Sequence, residues 1–187
     1  MILFFDTETT GKADFRSSPE AAHQPRIVQL AAILVDEKWC EVASLNVIIK
    51  PDGWTIPDEA AAIHGITTDR AMRCGVPEIA ATHVFDNLLL CSEIACAHNF
   101  AFDCFMLSRG CIKRSQELER RIYCTMRAMT PICKLPGSYG DYKWPKLQEA
   151  HKHAFGEEFG GAHDALADVR ACARIYRWLV ERKAVVV

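Results

Sequence analysis

Asp6 and Glu8 stand two residues apart where an apolar run, Ile2 to Phe5, comes to an end. In an extended backbone, residues two apart share a face, so both carboxylates point the same way with Thr7 opposite. Two anions at the edge of a core repel each other and are costly to desolvate. A divalent cation between them removes both costs. A solvated turn after a strand is the competing reading of Asp-Thr-Glu-Thr-Thr-Gly, and the hexapeptide alone leaves both open.

Asp168 is more telling. Ala165, Asp168, Cys172, Ile175 and Leu179 repeat at helical spacing, and Leu166, Val169, Ala173, Tyr176 and Val180 widen that stripe. Arg170, Arg174, Arg177 and Glu181 mark the opposite, solvated face. Asp168 therefore lies on or beside the buried stripe, where it needs a cation, and either an arginine or a metal would serve. The helix dipole favours an acid there by only ~0.3–1 kcal/mol, too little to justify burying a charge. Asp103, flanked by Phe100, Phe102 and Phe105 in the first turn of a helix, reads on its own as a helix-start acid. His98 and His163 each read singly as packing or capping residues. His163, however, immediately precedes the helix that carries Asp168, and an unperturbed pKa of ~6.5 suits proton abstraction near neutrality.

Positioning these groups requires a scaffold of alternating strands and helices. Strands are predicted over Ile2–Phe5, Ile27–Val35 and Glu41–Ile49, the last two joined as a hairpin around Asp36–Lys38, then over Ile94–Ala97 and Ile122–Thr125. Helices are predicted over Pro57–Ile63, Thr68–Arg73, Pro77 to about Cys91, Ala101 to about Gly110, a stretch ending before Lys134, Lys146–Phe155 and Asp164–Lys183. The long loops are Lys12–Pro25 and Leu135–Pro145. This pattern indicates an α/β layer architecture with a mixed sheet, with the strand order left open. No repeat or linker divides the chain, so a single domain over residues 1–187 is expected.

The composition is that of a soluble globular protein: 187 residues, 50% hydrophobic and 25% charged. No apolar run reaches the length of a membrane span, and Met1–Phe5 is too short and lacks the basic flank of a signal peptide. A cytoplasmic location and no membrane partner are expected. Cysteines number 9, an odd count with no C-x-x-C pair, so the expectation is reduced core thiols such as Cys96, Cys104 and Cys172, without zinc. A net charge of −2 and a pI near 6.4 disfavour a bulk duplex binder. They leave room for an enzyme that grips a few terminal nucleotides.

In this order the residues resemble the three motifs of the DEDD superfamily of 3′→5′ exonucleases, which includes the proofreading epsilon-type proteins. The motifs read Asp6-Thr7-Glu8-Thr9-Thr10-Gly11, His98-Asn99-Phe100-Ala101-Phe102-Asp103 and His163-Asp164-Ala165-Leu166-Ala167-Asp168. Histidine ahead of Asp168 identifies the histidine-containing branch; the sister branch has tyrosine where Asp164 stands here. Pro25-Arg26-Ile27-Val28-Gln29-Leu30-Ala31, Ile63-His64-Gly65-Ile66-Thr67 and Leu147-Gln148 add secondary similarities.

The resemblance implies a ribonuclease H-like fold, a mixed central β-sheet flanked by α-helices, and a site that uses two Mg²⁺ (or Mn²⁺) ions. Asp6 would bridge both ions, Glu8 and Asp168 would complete the nucleophile side, and Asp103 would serve the second ion. His163 would be the general base acting on the attacking water, with substrate contacts from Thr7, Thr9, His64, Asn99 and Phe102. The substrate would be a nucleic acid with a free 3′ end, DNA favoured and single-stranded or frayed, releasing 5′-mononucleotides. RNA or short oligonucleotides are the nearest alternative. A non-catalytic domain docked on a DNA polymerase and a ribonuclease H-type endonuclease are the others, and retention of all four carboxylates and His163 disfavours the docking domain. The chain ends shortly after its last helix, which makes a free-standing enzyme as reasonable an expectation as a polymerase subunit.

Lys12 departs from the pattern, because the position after Gly11 is commonly apolar in the family. Lys12 or Arg16 would then meet phosphate, or Lys12–Pro25 would be a mobile solvated loop. Tyr139, Tyr142, Lys143 and Trp144 would either stack on and contact the nucleic acid or fold over the core.

Overall fold

The computed structural model describes residues 1–109, 121–138 and 141–183. The sheet is built on β1 (Ile2–Thr9), β2 (Ile27–Val35), β3 (Glu41–Ile48), β4 (Ile94–Ala97) and β5 (Arg121–Cys124). Their spatial order is β3-β2-β1-β4-β5. The β3-β2-β1 half is antiparallel and the β1-β4-β5 half is parallel, which makes the sheet mixed. The helices are α1 (Asp58–His64), α2 (Thr68–Cys74), α3 (Glu78–Leu90), α4 (Phe100–Leu107), α5 (Thr125–Cys133), α6 (Leu147–Phe155) and α7 (Ala165–Glu181). This is the mixed sheet flanked by helices that the sequence predicts.

Alternation along the strands explains why both faces are covered. Leu3, Phe5, Leu30, Ala32 and Leu34 pack against α3 and α4, through Phe85, Leu89, Phe100 and Leu107. Phe4, Ala31, Ile33 and Val35 turn the other way, onto Ala165, Val169, Cys172 and Tyr176 of α7. Edge-on aromatic pairs seal each layer: Phe5 with Phe85 at 5.3 Å and Phe4 with Tyr176 at 5.4 Å between ring centres. β2 is buried over its whole length, as its nearly unbroken apolar sequence demands.

β1 runs four residues beyond the predicted Phe5, through Asp6, Thr7, Glu8 and Thr9. The antiparallel partner explains this extension, since Asp6 faces Ala31, Thr7 faces Leu30 and Glu8 faces Gln29. On its other edge β1 pairs with β4 only over Ile2–Phe4. Past that point the edge is left to α4. The carboxylates therefore stand on regular strand at the point where the parallel neighbour gives way to a helix.

The Lys12–Pro25 loop is a built turn. Buried Gln24 accepts from the Asp14 N–H at 3.0 Å and returns a bond to the Asp14 carbonyl at 2.7 Å. Phe15 lies on Phe105 of α4 with ring centres 4.9 Å apart. Cys96 and Cys172 are buried free thiols, as expected, while Cys40, Cys74 and Cys91 are exposed, so the reading of the cysteines as core residues holds only in part. Gly110 as a helix stop and Tyr139 as a contact lie outside the described residues. Among the described residues, no helix is long and apolar enough to cross a membrane.

Candidate active site

Four carboxylates from three elements converge at the end of β1. Asp6 and Glu8 come from the strand, Asp103 from the first turn of α4 and Asp168 from the first turn of α7. Ligand-type atoms of Glu8, His163 and Asp168 lie within 4.8 Å of one another. Asp6 feels the charges of Asp103, Asp168 and Glu8.

Crowding and burial lift all four carboxyls above the ordinary range. For Asp6 burial is the largest cause, followed by Asp103, Asp168 and Glu8. Burial, then the charges of Asp168 and Asp103, pushes Glu8 up to about 8. Asp103 rises to about 7 by burial, although hydrogen bonds from Thr7 pull the other way. Asp168 rises to about 6, also by burial, with the His163 N–H opposing. Neighbours that stabilise neither one another's charge nor their own burial are the mark of a cation site or of catalytic carboxyls. The Asp168 Oδ1 atom strengthens the case for a cation, being buried and, among the described residues, without a hydrogen-bond partner.

Local structure fixes each group. Because β4 stops short, the Thr7 N–H is free to donate to Asp103 Oδ1 at 3.0 Å, and the Thr7 hydroxyl adds a second bond at 2.8 Å. Thr7 is thus buried and engaged with a carboxylate. Asn99 precedes α4 in the left-handed region, at φ 78°. Phe102 is half-buried against the α3–α4 side of the core. At α7, Asp164 caps the helix by accepting from the Leu166 and Ala167 N–H groups, each at 3.2 Å. His163 ahead of it is left-handed at φ 66°, a conformation uncommon outside glycine, and donates its N–H to Asp168 Oδ2 at 3.4 Å. Its ring is exposed beside Glu8 and Asp168.

Gln29 takes part as well, although the sequence marks it only as part of a strand. Its amide donates to Asp164 Oδ2 and accepts from the Ala165 N–H, both at 3.3 Å, so that β2 grips the head of α7. The available signal was a lone amide amid the otherwise apolar IVQLAAILV. His98, by contrast, is internal: Nε2 donates to the Pro145 carbonyl at 3.0 Å and Nδ1 meets Thr125 Oγ1 at 2.9 Å. Burial lowers its pKa to about 4.

A cleft of about 470 Å³ opens next to the carboxylates, bounded by Glu8, Thr9, Gly11 and Lys12 on one wall and by Ile63 and His64 on the other. His64 Nδ1 accepts from the Ile66 N–H at 3.2 Å, which leaves its proton on Nε2. That Nε2 is buried and, among the described residues, has no partner. Burial and nearby His163 lower the pKa of His64 and keep it neutral, so it offers a donor without a charge. Thr9 spends its hydroxyl hydrogen on the Gly11 carbonyl at 2.8 Å, bracing the same wall.

Comparison with known proteins agrees with this arrangement. The exonuclease family that includes RNase T matches residues 3–176. An uncharacterized exonuclease, CP81 of Escherichia phage 186, is 31% identical over 175 residues, covering 90% of this chain and 82% of the phage protein. Among solved structures, E. coli exonuclease I in complex with a dT13 oligonucleotide superimposes with a TM-score of 0.76 at 23% identity, over 97% of this chain. The zinc-bound form of the E. coli exonuclease I–single-stranded DNA complex gives 0.75 at 24% identity over the same share. The chain spans only 41% and 40% of those two chains, and at such identity they establish the ribonuclease H-like fold. With a family match over nearly all of its length and a phage relative above 30% identity, the chain belongs to the exonuclease family.

Proposed function

We propose that this protein removes 5′-mononucleotides one at a time from the 3′ end of DNA, single-stranded or frayed, in a reaction that requires divalent metal. The observation that carries this reading is the convergence of four carboxyls with raised pKa values beside an exposed histidine. Asp6, Glu8 and Asp168 would hold one Mg²⁺ or Mn²⁺ ion, and Asp6 with Asp103 would hold a second. All-oxygen donor sets suit such hard cations. The unpartnered Asp168 Oδ1 is an oxygen that such an ion would satisfy. When bound, two such ions stabilise the entering and leaving oxygens of an in-line displacement at phosphorus.

His163 takes the proton of the attacking water on an imidazole nitrogen. Its exposure and its place beside Glu8 and Asp168 suit that role. Asp164 and Gln29 fix the turn that presents it. Thr7 holds Asp103 through two hydrogen bonds and does not itself exchange protons. The terminal nucleotide occupies the cleft beside Glu8, with His64 Nε2–H donating to a sugar or phosphate oxygen and Ile63, 59% exposed, offering apolar surface to the base. Lys12 on the opposite lip supplies positive charge. DNA as the substrate is supported by the fold shared with exonuclease I, whose structures hold single-stranded DNA.

The test is digestion of a 5′-labelled single-stranded DNA oligomer, with a matched RNA alongside, in Mg²⁺ or in EDTA. A ladder shortening from the 3′ end in Mg²⁺, absent in EDTA and with Asp6→Ala, is the expected result. Faster RNA cleavage would reassign the sugar preference, and no cleavage of either strand by folded, metal-supplied protein would overturn the proposal.

A further inference from the structure

If the terminal nucleotide lies in the cleft between Gly11–Lys12 and Ile63–His64, the rest of the strand must leave past the carboxylates on the other side. Segment 141–146 is tied to the carboxylate elements from that side, through His98 ahead of Asn99 and α4, and through α6 to the chain leading into His163. The segment is firmly held. Buried Pro145 receives His98 Nε2–H at 3.0 Å, immediately ahead of Asn99 and the helix of Asp103. The Lys143 N–H bonds the Leu135 carbonyl at 3.0 Å, and the Lys143 ammonium reaches Glu149 at 2.6 Å. From there the chain enters α6. Gln148 grips the backbone of Phe159 at both its N–H and its carbonyl, at 3.2 and 2.8 Å, just before the turn of His163.

On this anchored segment stands Trp144, 61% exposed, with Tyr142 nearby at 48%. Tryptophan is highly buried on average, and a backbone this well fixed has no structural need to leave an indole in water. Among the described residues Trp144 makes no ring contact, hydrogen bond or ion pair. The adjoining Lys146 is exposed as well, so the platform joins a flat π-face to positive charge, the combination that binds single strands without reading sequence.

We propose that Trp144 is the stacking platform for a base of the single-stranded substrate on the 5′ side of the scissile phosphate. This inference rests on the exonuclease reading for its direction. The segment fixed by His98 and Gln148 presents the indole to an unpaired base, and a duplex end must fray before a base reaches it. Trp144 thereby favours single strands over blunt duplex.

The experiment uses the full chain and its Trp144→Ala and Trp144→Phe variants. Binding of 5′-fluorescein dT12 is followed by anisotropy in EDTA, where no hydrolysis occurs. Turnover of the p-nitrophenyl ester of thymidine 5′-monophosphate, which carries the terminal nucleotide but no second base, is followed in Mg²⁺. Loss of one base–aromatic stack predicts dT12 binding about tenfold weaker in Trp144→Ala and largely recovered in Trp144→Phe. The loss on dT12 should exceed the loss on the ester by about the same factor. Equal losses on both would make Trp144 a support of the fold, and unaltered dT12 binding would remove the platform; either overturns the inference. Failure of the wild-type protein to hydrolyse the ester and the oligomer would instead defeat the exonuclease reading, while the ratio of dT12 affinities would still decide the platform.

Discussion

His98 and His163 each stand five residues ahead of an aspartate in the first turn of a helix, within the hexapeptides HNFAFD and HDALAD. Each hexapeptide also carries a left-handed residue at the helix entrance, Asn99 in one and His163 itself in the other. Their environments are nonetheless opposite. His98 is enclosed, spends both ring nitrogens on Thr125 and Pro145, and has its pKa lowered to about 4 by burial. His163 is exposed, with its ring beside Glu8 and Asp168. The aspartates differ in the same sense: Asp103 Oδ1 accepts two bonds from Thr7, while Asp168 Oδ1 is buried with none among the described residues. Equal spacing thus yields one enclosed and one exposed histidine, packing decides which is which, and the proposed mechanism needs only the exposed one.

The largest effect that would break this contrast is on turnover. His163→Ala is expected to lower kcat by about 10²–10⁴-fold, the usual contribution of a general base, with the fold retained by circular dichroism. His98→Ala should lose far less turnover. A kcat for His98→Ala as low as that of His163→Ala would erase the distinction.

The aspartates provide the next test. Thr7→Val keeps the backbone bond to Asp103 but deletes the hydroxyl bond, and should cost about tenfold in metal affinity or activity. Because the Thr7 bonds lower the Asp103 pKa, their partial loss raises it further, so the acid limb of the rate–pH profile should move to higher pH. A limb that stays in place would remove Thr7 from the tuning of Asp103.

A third effect appears in stability. His98→Ala leaves buried partners unsatisfied and should cost about 1–3 kcal/mol in denaturant unfolding. His163→Ala, at an exposed ring, should be close to neutral by the same measurement. The smallest effect concerns the metal-free protein. Carboxyls whose folded pKa is raised bind protons more tightly folded than unfolded, so their charging costs stability as pH rises. For Glu8, Asp103 and Asp168 the loss falls between the ordinary carboxylate range and about 8. Added Mg²⁺ should therefore raise the melting temperature more at the alkaline end of that window than at the acid end. An equal Mg²⁺ effect throughout would deny that the ion relieves these charges.

Much of this was legible from residue types alone. The run IVQLAAILV predicts β2 with both ends correct, and the apolar stripe of α7 places Asp168 beside the core. The apolar run predicts β1 only over Ile2–Phe5, because the residues that follow are polar. It continues to Thr9 because Ala31, Leu30 and Gln29 supply an antiparallel partner that local propensity does not see. Strand order was hidden for a similar reason, since alternation reports which face is buried and not which neighbour pairs. The roles of His98 and Gln29 depend on partners 27, 47, 135 and 136 residues away, beyond the reach of any local pattern.

The most direct test of the site measures metal binding and hydrolysis on the same samples of His163→Ala and Asp168→Ala. Mn²⁺ titration by calorimetry is paired with single-turnover release of the 3′ nucleotide from a DNA oligomer at saturating Mg²⁺. His163→Ala should bind Mn²⁺ as the wild type does yet fail to turn over, and Asp168→Ala should lose both. Retained turnover in His163→Ala, or a loss of Mn²⁺ affinity equal to that of Asp168→Ala, would contradict the assignment of His163 as the base beside a carboxylate metal site.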